Sequence, residues 1–189
     1  FVLMTCLISG LKGWQTNARQ KYHIFDNLDC FILVSSSDEN LPDLIINKIL
    51  DAVINKISTK DTYNDFSITL EVLNSFLKTW MQNNEKIYDL DVVVWILNRN
   101  NFIFSNIWTS SCYLVKKYEQ DIIEITEKHE NKKFFGFVSS WELSAGEIVI
   151  LWTKRLLSHL SNSDLLDGPV SEEVEDFVQN IKYILKSEL

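Results

Sequence analysis

The stretch Val92–Ile107 reads VVVWILNRNNFIFSNI, two apolar runs separated by four polar residues. Both runs, Val92–Leu97 and Phe102–Ile107, are rich in the β-branched and aromatic residues that favour strands. The connection Asn98-Arg99-Asn100-Asn101 is short and polar, which is typical of a hairpin. The stretch therefore predicts two neighbouring antiparallel strands.

Two long helices are predicted before this hairpin. The first spans Leu41–Ile57 and the second Phe66–Lys86, with a polar break at Ser58–Asp65. Apolar residues recur every four positions in two adjacent rows of each helix, so each apolar stripe is wide enough to lie on a large core face. The rows are Ile45, Ile49, Val53 and Ile46, Leu50, Ile54 in the first helix, and Val72, Phe76, Trp80 and Leu73, Leu77, Met81 in the second.

The other elements complete an α+β pattern. Before the helices, residues 2–9 predict a strand, residues 10–20 a turn and Cys30–Val34 a buried strand. After the hairpin, further strands are predicted, then a short helix near Lys154–Leu160 and a last helix capped by Ser171. Together these elements predict a four-layer α/β/β/α sandwich with two central antiparallel sheets. The later strands are expected at Cys112–Lys116, Asp121–Thr126, Phe134–Val138 and Glu147–Trp152.

Composition limits the classes of protein to which the chain can belong. The sequence is 46% apolar and has two prolines and five glycines, which predicts one packed domain over residues 1–189. Its net charge of −8 disfavours nucleic acid and anionic membrane surfaces as partners. No apolar run reaches the roughly 18 residues that cross a bilayer, and Phe1–Gly10 reads as a strand, not a signal peptide. Cys6, Cys30 and Cys112 lie apart in apolar surroundings, as thiols of a cytoplasmic protein would.

The segment Asn106–Val115, NIWTSSCYLV, resembles the "N-v-G-D-S-R-a-Y-l" stretch of the metal-dependent type-2C protein serine/threonine phosphatases. Trp108 and Thr109 stand where that family has Gly and Asp. Ile125–His129 is similar to the family's "L-T-x-D-H", with Lys128 in place of the aspartate. The residues of these two segments that match are Asn106, Ser110, Tyr113, Leu114, Thr126 and His129.

Two further segments extend the resemblance over nearly the whole chain. Gly146–Leu156 is similar to "G-D-x-l-l-l-x-T-D-G-L", with Lys154 and Arg155 replacing Asp-Gly. Ser35 and Ser36 replace the Asp-Gly that ends an early strand of the family, and Arg19 stands at the aspartate of its "N-x-D". The resemblance implies the family's sandwich, without its last strand because the sequence ends at Leu189.

The family's chemistry needs two Mn²⁺ or Mg²⁺ ions held mainly by aspartates, because hard cations prefer negative oxygen ligands. At the aligned positions this chain has Arg19, Ser35, Ser36 and Lys154. A cation about 4 Å from a dication pocket repels the metal by several kcal/mol at an effective dielectric near 20. The resemblance therefore implies no catalytic residue, no metal ligand and no cofactor, that is, a pseudophosphatase and not an enzyme.

Three functions stay open at this point. The first is a catalytically inactive, protein-binding or regulatory module, in which Lys154 and Arg155 could contact an anion or a partner. The second is a divergent active phosphatase that binds Mn²⁺ or Mg²⁺ through Asp26, Asp29 or Asp38. The third is an unrelated α+β domain. A protein partner is expected, and nucleic acid, membrane insertion and a small-molecule substrate are not.

Overall fold

A computed structural model describes residues 17–25, 28–36, 39–83, 90–107, 111–116, 121–126 and 134–152, together with Asp176, Gln179 and Tyr183. Contacts divide the chain into two compact units. The larger consists of Lys12–Thr109 and Glu127–Leu143, and the smaller of the remaining residues. The expectation of one domain over residues 1–189 stays a prediction. Neither described helix is both long and apolar enough to cross a membrane.

The larger unit is built on a five-stranded antiparallel sheet with the order β1-β2-β3-β4-β7. Strands β3 and β4 form the hairpin predicted from Val92–Ile107, so that prediction is confirmed. The bounds of the five strands are β1 Asn17–Phe25, β2 Leu28–Ser36, β3 Leu90–Asn98, β4 Asn101–Ile107 and β7 Ser139–Glu142. The predicted end of the turn at residues 10–20 is wrong, because β1 already begins at Asn17.

Two helices pack on one face of this sheet. Helix α1 spans Leu41–Lys56 and α2 spans Thr62–Asn83. Their buried residues share one apolar cluster with alternate residues of β2, β3 and β4, as the apolar rows predict. Two of the predicted row positions differ, since Val72 is 45% exposed and Ile54 is 42% exposed. Four others are half-buried and pack against the cluster, namely Leu50, Phe76, Trp80 and Met81.

Helix α2 begins four residues before its predicted start at Phe66. The polar segment read as a break contains residues that serve the first turn of a helix. The Thr62 hydroxyl donates to the Ser58 carbonyl (2.9 Å). The Asp65 carboxylate accepts from both the backbone N–H (2.9 Å) and the hydroxyl (2.7 Å) of Ser58. These polar residues join the start of α2 to Ser58 before it and do not interrupt the helix.

The opposite face of the sheet carries an aromatic row and is buried as well. Phe31, Trp95, Phe102 and Phe104 follow one another with ring centroids 5.4–5.7 Å apart. These rings add stacking energy to their burial, and Trp95 is only 8% exposed. Because both faces of β3 are buried, its sequence is a continuous apolar run and not an alternating one.

The segment Phe134–Val138 was predicted as a strand, and this prediction is wrong. The segment has no strand pairing and is held instead by side chains. The Asn74 side-chain amide bonds both the carbonyl and the N–H of Phe135, the Ser105 hydroxyl donates to the Phe137 carbonyl, and the Tyr63 hydroxyl donates to the Val138 carbonyl (3.1 Å). Hydrogen bonds from side chains take the place of strand–strand hydrogen bonds here, and strand pairing begins only at Ser139.

The Asn98–Asn101 turn fastens the hairpin to its surroundings. Asn98 donates to the Thr59 carbonyl (3.1 Å) and to the Thr62 hydroxyl (2.8 Å). Asn100 donates to Glu142 Oε1 (2.9 Å), and Ser140 donates to Asn101 Oδ1 (3.0 Å). Arg99 takes a left-handed conformation with φ of 59°, which a non-glycine residue adopts only at an energetic cost.

The smaller unit contains a three-stranded antiparallel sheet with the order β6-β5-β8. Its strands are β5 Ser111–Lys116, β6 Asp121–Glu124 and β8 Glu147–Trp152, close to their predicted positions. Gly146 precedes β8 in a turn with φ of 86°, a conformation that favours glycine. Asp176, Gln179 and Tyr183 are helical, and the predicted first strand, the short helix and the other residues of the last helix lie outside the described residues.

Candidate functional site at the end of the larger sheet

The residues aligned with the aspartate motifs of β1 and β2 lie where β2 ends and β3 begins. Ser35 is paired with Ala18 of β1 on one side and with Asp91 of β3 on the other. Arg19 is paired with Val34, one position along. Successive side chains of a strand point to opposite faces, so Arg19 and Ser35 belong to opposite faces of the sheet.

Arg19 lies on the helix-covered face. Its Nε is 3.7 Å from Asp43 Oδ2 in the first turn of α1, and its side chain is 38% exposed. Ser36 is buried on this same face, since it is paired with Leu90 of the apolar cluster. The structure therefore does not bring the charge of Arg19 to the face on which Ser35 stands.

The face of Ser35 carries a carboxylate that the sequence motifs did not indicate. Asp91 is directly opposite Ser35 across the β2–β3 pair, so the two side chains stand side by side on one face. Asn106 is paired with Val93, the next residue of β3 on this face, and is nearly buried. Sequence reasoning missed Asp91 because it begins an apolar run and belongs to none of the resembling motifs; its one signal was a carboxylate at the start of a buried strand.

The acidic residues considered for a displaced metal site do not gather here. Asp29 is paired with Leu97, six residues from the Ser35–Asp91 pair and roughly 20 Å along the strand. Asp43 is engaged by Arg19, and Asp26 and Asp38 lie outside the described residues. Within the described ranges, no three His, Cys, Asp or Glu side chains are close enough to hold a metal ion.

The three downstream motifs meet in the smaller sheet. Strand β5 from the first motif is paired with β8 from the third, with Tyr113 opposite Ile150. Thr126 of the second motif binds the backbone of Cys112, its hydroxyl accepting from the N–H and donating to the carbonyl (3.4 Å). Thr126 and Gly146, both matched residues, thus have the structural roles of fastening a strand end and making a turn.

Other aligned positions of these motifs fall outside the part of the chain that the structure describes. They are Trp108, Thr109, Lys128, Lys154 and Arg155. The expected anion or partner contact by Lys154 and Arg155, and the loss of an aspartate at Lys154, therefore stay predictions.

Solved structures share this architecture, although no model of a protein family and no curated protein matches the sequence. The S. agalactiae serine/threonine phosphatase matches 93% of this chain and 88% of its own, with a TM-score of 0.72 and 10% identity. The catalytic domain of the serine/threonine phosphatase PstP in complex with two manganese ions matches 89% and 90%, with a TM-score of 0.62 and 13% identity. PppA, described as a key regulatory component of the T6SS in Pseudomonas aeruginosa, matches 89% and 90%, with a TM-score of 0.65 and 10% identity.

The chain therefore has the fold of the type-2C serine/threonine phosphatases, as its motifs imply. The expectation that it is not an enzyme is contradicted, since the structures that share its fold are serine/threonine phosphatases and one of them holds two manganese ions. One physical reason for that expectation also fails. Arg19 was counted as a cation in the former metal pocket, yet its guanidinium lies on the other face of the sheet from Ser35.

Proposed function

We propose that this chain is a divergent metal-dependent phosphatase that acts on phosphoserine or phosphothreonine in a protein, with Asp91 as a carboxylate of its site. The observation that carries the proposal is the direct cross-strand placement of Asp91 opposite Ser35. Ser35 occupies the position at which the resemblance implies a metal-binding aspartate. The neighbouring strand thus supplies a carboxylate on the face where the motif has lost one.

The donor chemistry of this face fits one Mg²⁺ or Mn²⁺ ion. Asp91 offers a carboxylate and Ser35, directly opposite it on the neighbouring strand, a hydroxyl, and both are oxygen donors. Mg²⁺ is commonly held by one or two carboxylates together with water and substrate phosphate oxygens. A bound ion would activate water and neutralise phosphate charge. With a single carboxylate known, we expect metal affinity to be weak unless a phosphate is also present.

The protein holds these donor groups in place and limits their contact with water. Ser35 is nearly buried at the end of β2, so its side chain is held by the sheet. Asp91 is half-buried, so less water surrounds it than surrounds a carboxylate on the open surface. Charge interactions are stronger at such a place than in bulk water.

Mn²⁺ binding and phosphate release together test the proposal. Titration calorimetry with Mn²⁺, with and without inorganic phosphate, should show binding that Asp91→Asn weakens at least about tenfold. Hydrolysis of p-nitrophenyl phosphate and of a phosphothreonine peptide should fall in the same variant. Asp51→Asn, on the exposed side of α1, is the matched control and should leave both unchanged. Absence of Mn²⁺ binding, or hydrolysis unaffected by Asp91→Asn, contradicts the proposal.

A protein partner and a regulatory role belong to this proposal, because the substrate is a phosphorylated protein. The net charge of −8 supports a partner other than nucleic acid. Cys30 and Cys112 are free, buried thiols, which supports a reducing compartment such as the cytoplasm.

A further inference from the structure

The outer side of α2 carries five exposed residues without charge, in a single stripe along the helix. They follow one another at alternating intervals of four and three residues, a spacing that places side chains on one side of a helix. Two of them are apolar, since Ile68 is 49% exposed and Val72 is 45% exposed. The five are Ile68, Val72, Ser75, Thr79 and Gln82, and they are called the uncharged stripe.

The two hydroxyls in the middle of the uncharged stripe are already bonded to the helix itself. The Ser75 hydroxyl donates to the Glu71 carbonyl (3.1 Å), and the Thr79 hydroxyl donates to the Ser75 carbonyl (3.0 Å). A polar group that keeps its hydrogen bond loses little when another protein surface replaces the water around it. Both side chains are also short, so a second helix can approach α2 closely at this place.

Two opposite charges flank the uncharged stripe on the same side. Glu71 and Lys78 are exposed and seven residues apart, which is about 10 Å along the helix axis, so they do not pair with each other. Within the residues that the structure describes, neither takes part in an ion pair. Both charges are therefore available to another molecule.

An antiparallel pair of α2 helices from two copies of the chain brings these charges together. When Val72 of each copy lies against Ser75 of the other, the flanking positions on one side of the two helices also meet. Glu71 of each copy then stands beside Lys78 of the other. The two-fold symmetry forms this ion pair twice, so the face is complementary to itself, as a symmetric dimer requires.

Other partners fit the charges of this face less well. A parallel pair of α2 helices would place Glu71 beside Phe76 of the second copy, where its charge has no opposite. A strongly acidic or basic partner would meet one charge of each sign and be attracted by only one of them. Single exposed apolar side chains are normal on protein surfaces, so the spacing and the paired charges together indicate the contact.

We propose that the uncharged stripe of α2 is a dimer interface, at which a second copy of this chain binds with its own α2 antiparallel. A single pair of helices buries less surface than the roughly 1,200 Å² of a small stable interface, and the net charge of −8 repels a second copy. Association should therefore be weak, and measurable at protein concentrations of about 0.1 mM or more. It needs neither metal nor turnover, so it is independent of the proposed phosphatase activity.

Exchange of the two flanking charges tests this interface in the full chain. Sedimentation equilibrium should show dimers, and Glu71→Lys should weaken their association about tenfold, because two attractions become two repulsions. Lys78→Glu should have the same effect. A one-to-one mixture of the two variants should associate again, since each variant offers the charge that the other needs. Glu39→Lys makes the same change in net charge ahead of α1 and should leave association within about twofold.

Two further readouts verify the fold of each variant and locate the contact. Circular dichroism shows whether each variant is folded, and the amide NMR shifts that change with protein concentration should belong to α2. The proposal would be overturned by a monomer at all concentrations up to about 1 mM, or by equal association of Glu71→Lys and the unsubstituted chain. Concentration-dependent shifts confined to other elements, or a mixture of the two variants that does not associate, would overturn it as well.

Discussion

The side-chain amide of Asn74 and the backbone of Phe135 are joined by two hydrogen bonds, one in each direction. Asn74 Nδ2 donates to the Phe135 carbonyl (2.9 Å), and the Phe135 N–H donates to Asn74 Oδ1 (2.8 Å). The phenyl ring of Phe135 is buried in the core cluster beneath α2. One asparagine thus takes the place of a neighbouring strand for a segment that has none, and keeps Phe135 in the core.

Loss of this pair should destabilise the larger unit. Asn74→Ala removes both bonds and leaves two nearly buried backbone groups without their partner, so we expect the free energy of unfolding to fall by about 2 kcal/mol. Urea denaturation measures it. Asn55→Ala on α1 is the control, because its bond to the Asp51 carbonyl is exposed, and it should change stability by less than about 0.5 kcal/mol. Equal effects of the two substitutions would show that the Phe135 contact contributes little.

Restoring a carboxylate at Ser35 should strengthen metal binding if Asp91 belongs to the site. Ser35→Asp places two carboxylates opposite each other, so Mn²⁺ affinity measured by calorimetry should rise at least about tenfold. The metal-free protein should be less stable, since like charges opposite each other in a sheet repel. Ser35→Asn has the same size without the charge. If Ser35→Asn bound Mn²⁺ as well as Ser35→Asp, Asp91 would not be the neighbour that matters.

A substitution of Arg99, the left-handed residue of the β3–β4 turn, should make the protein more stable. Arg99→Gly removes the steric contact between Cβ and the backbone that a φ of 59° causes. The free energy of unfolding should therefore rise by up to about 1 kcal/mol. Gly146→Ala introduces that contact at φ of 86° and should lower stability by about 1 kcal/mol. Urea denaturation of both variants provides the measurement. Destabilisation by Arg99→Gly would mean that the arginine side chain contributes more than its backbone loses.

The two buried thiols should make stability fall at alkaline pH. Burial raises the pKa of Cys30 from 9.0 to about 12 and that of Cys112 well above 9.0. Between these values the unfolded chain has lost protons that the folded chain keeps. The thiols therefore do not change the free energy of unfolding below about pH 9. It falls as pH rises from there towards 12, by up to about 1.4 kcal/mol per pH unit for each thiol.

Comparison with a variant lacking both thiols isolates this effect from the titration of Tyr and Lys. We expect the free energy of unfolding of Cys30→Ala/Cys112→Ala to change less steeply with pH than that of the unsubstituted chain between about pH 8 and pH 10. Parallel pH profiles would show that the thiols ionise without unfolding.

The sequence predicted elements well where one interaction dominates. The β3–β4 hairpin and both helices follow from their apolar spacing. The segment Phe134–Val138 was misread because its apolar side chains fit a strand, whereas its partner, Asn74, is about sixty residues away on a helix. Such a bond has no local signal.

The sequence predicted where the site lies in the fold, but not which residues form it. Ser35 and Ser36 correctly indicated the end of β2, but alternation along the strands places Arg19 and Ser35 on opposite faces. That relation depends on the register between β1 and β2, which spacing alone did not provide. Asp91 was missed for a similar reason, since only the pairing of β2 with β3 brings it beside Ser35.

Because β3 is buried on both faces, its amide protons should exchange slowly with solvent. A strand with neighbours on both edges and apolar side chains covered on both faces exchanges its amide protons only when much of the unit unfolds, whereas an edge strand exchanges through smaller openings. Asp91 is carried by β3 and Arg19 by the edge strand β1. The carboxylate of the proposed site thus lies on the slowest-exchanging part of the sheet, and Arg19 on a strand that can separate from it without unfolding the rest.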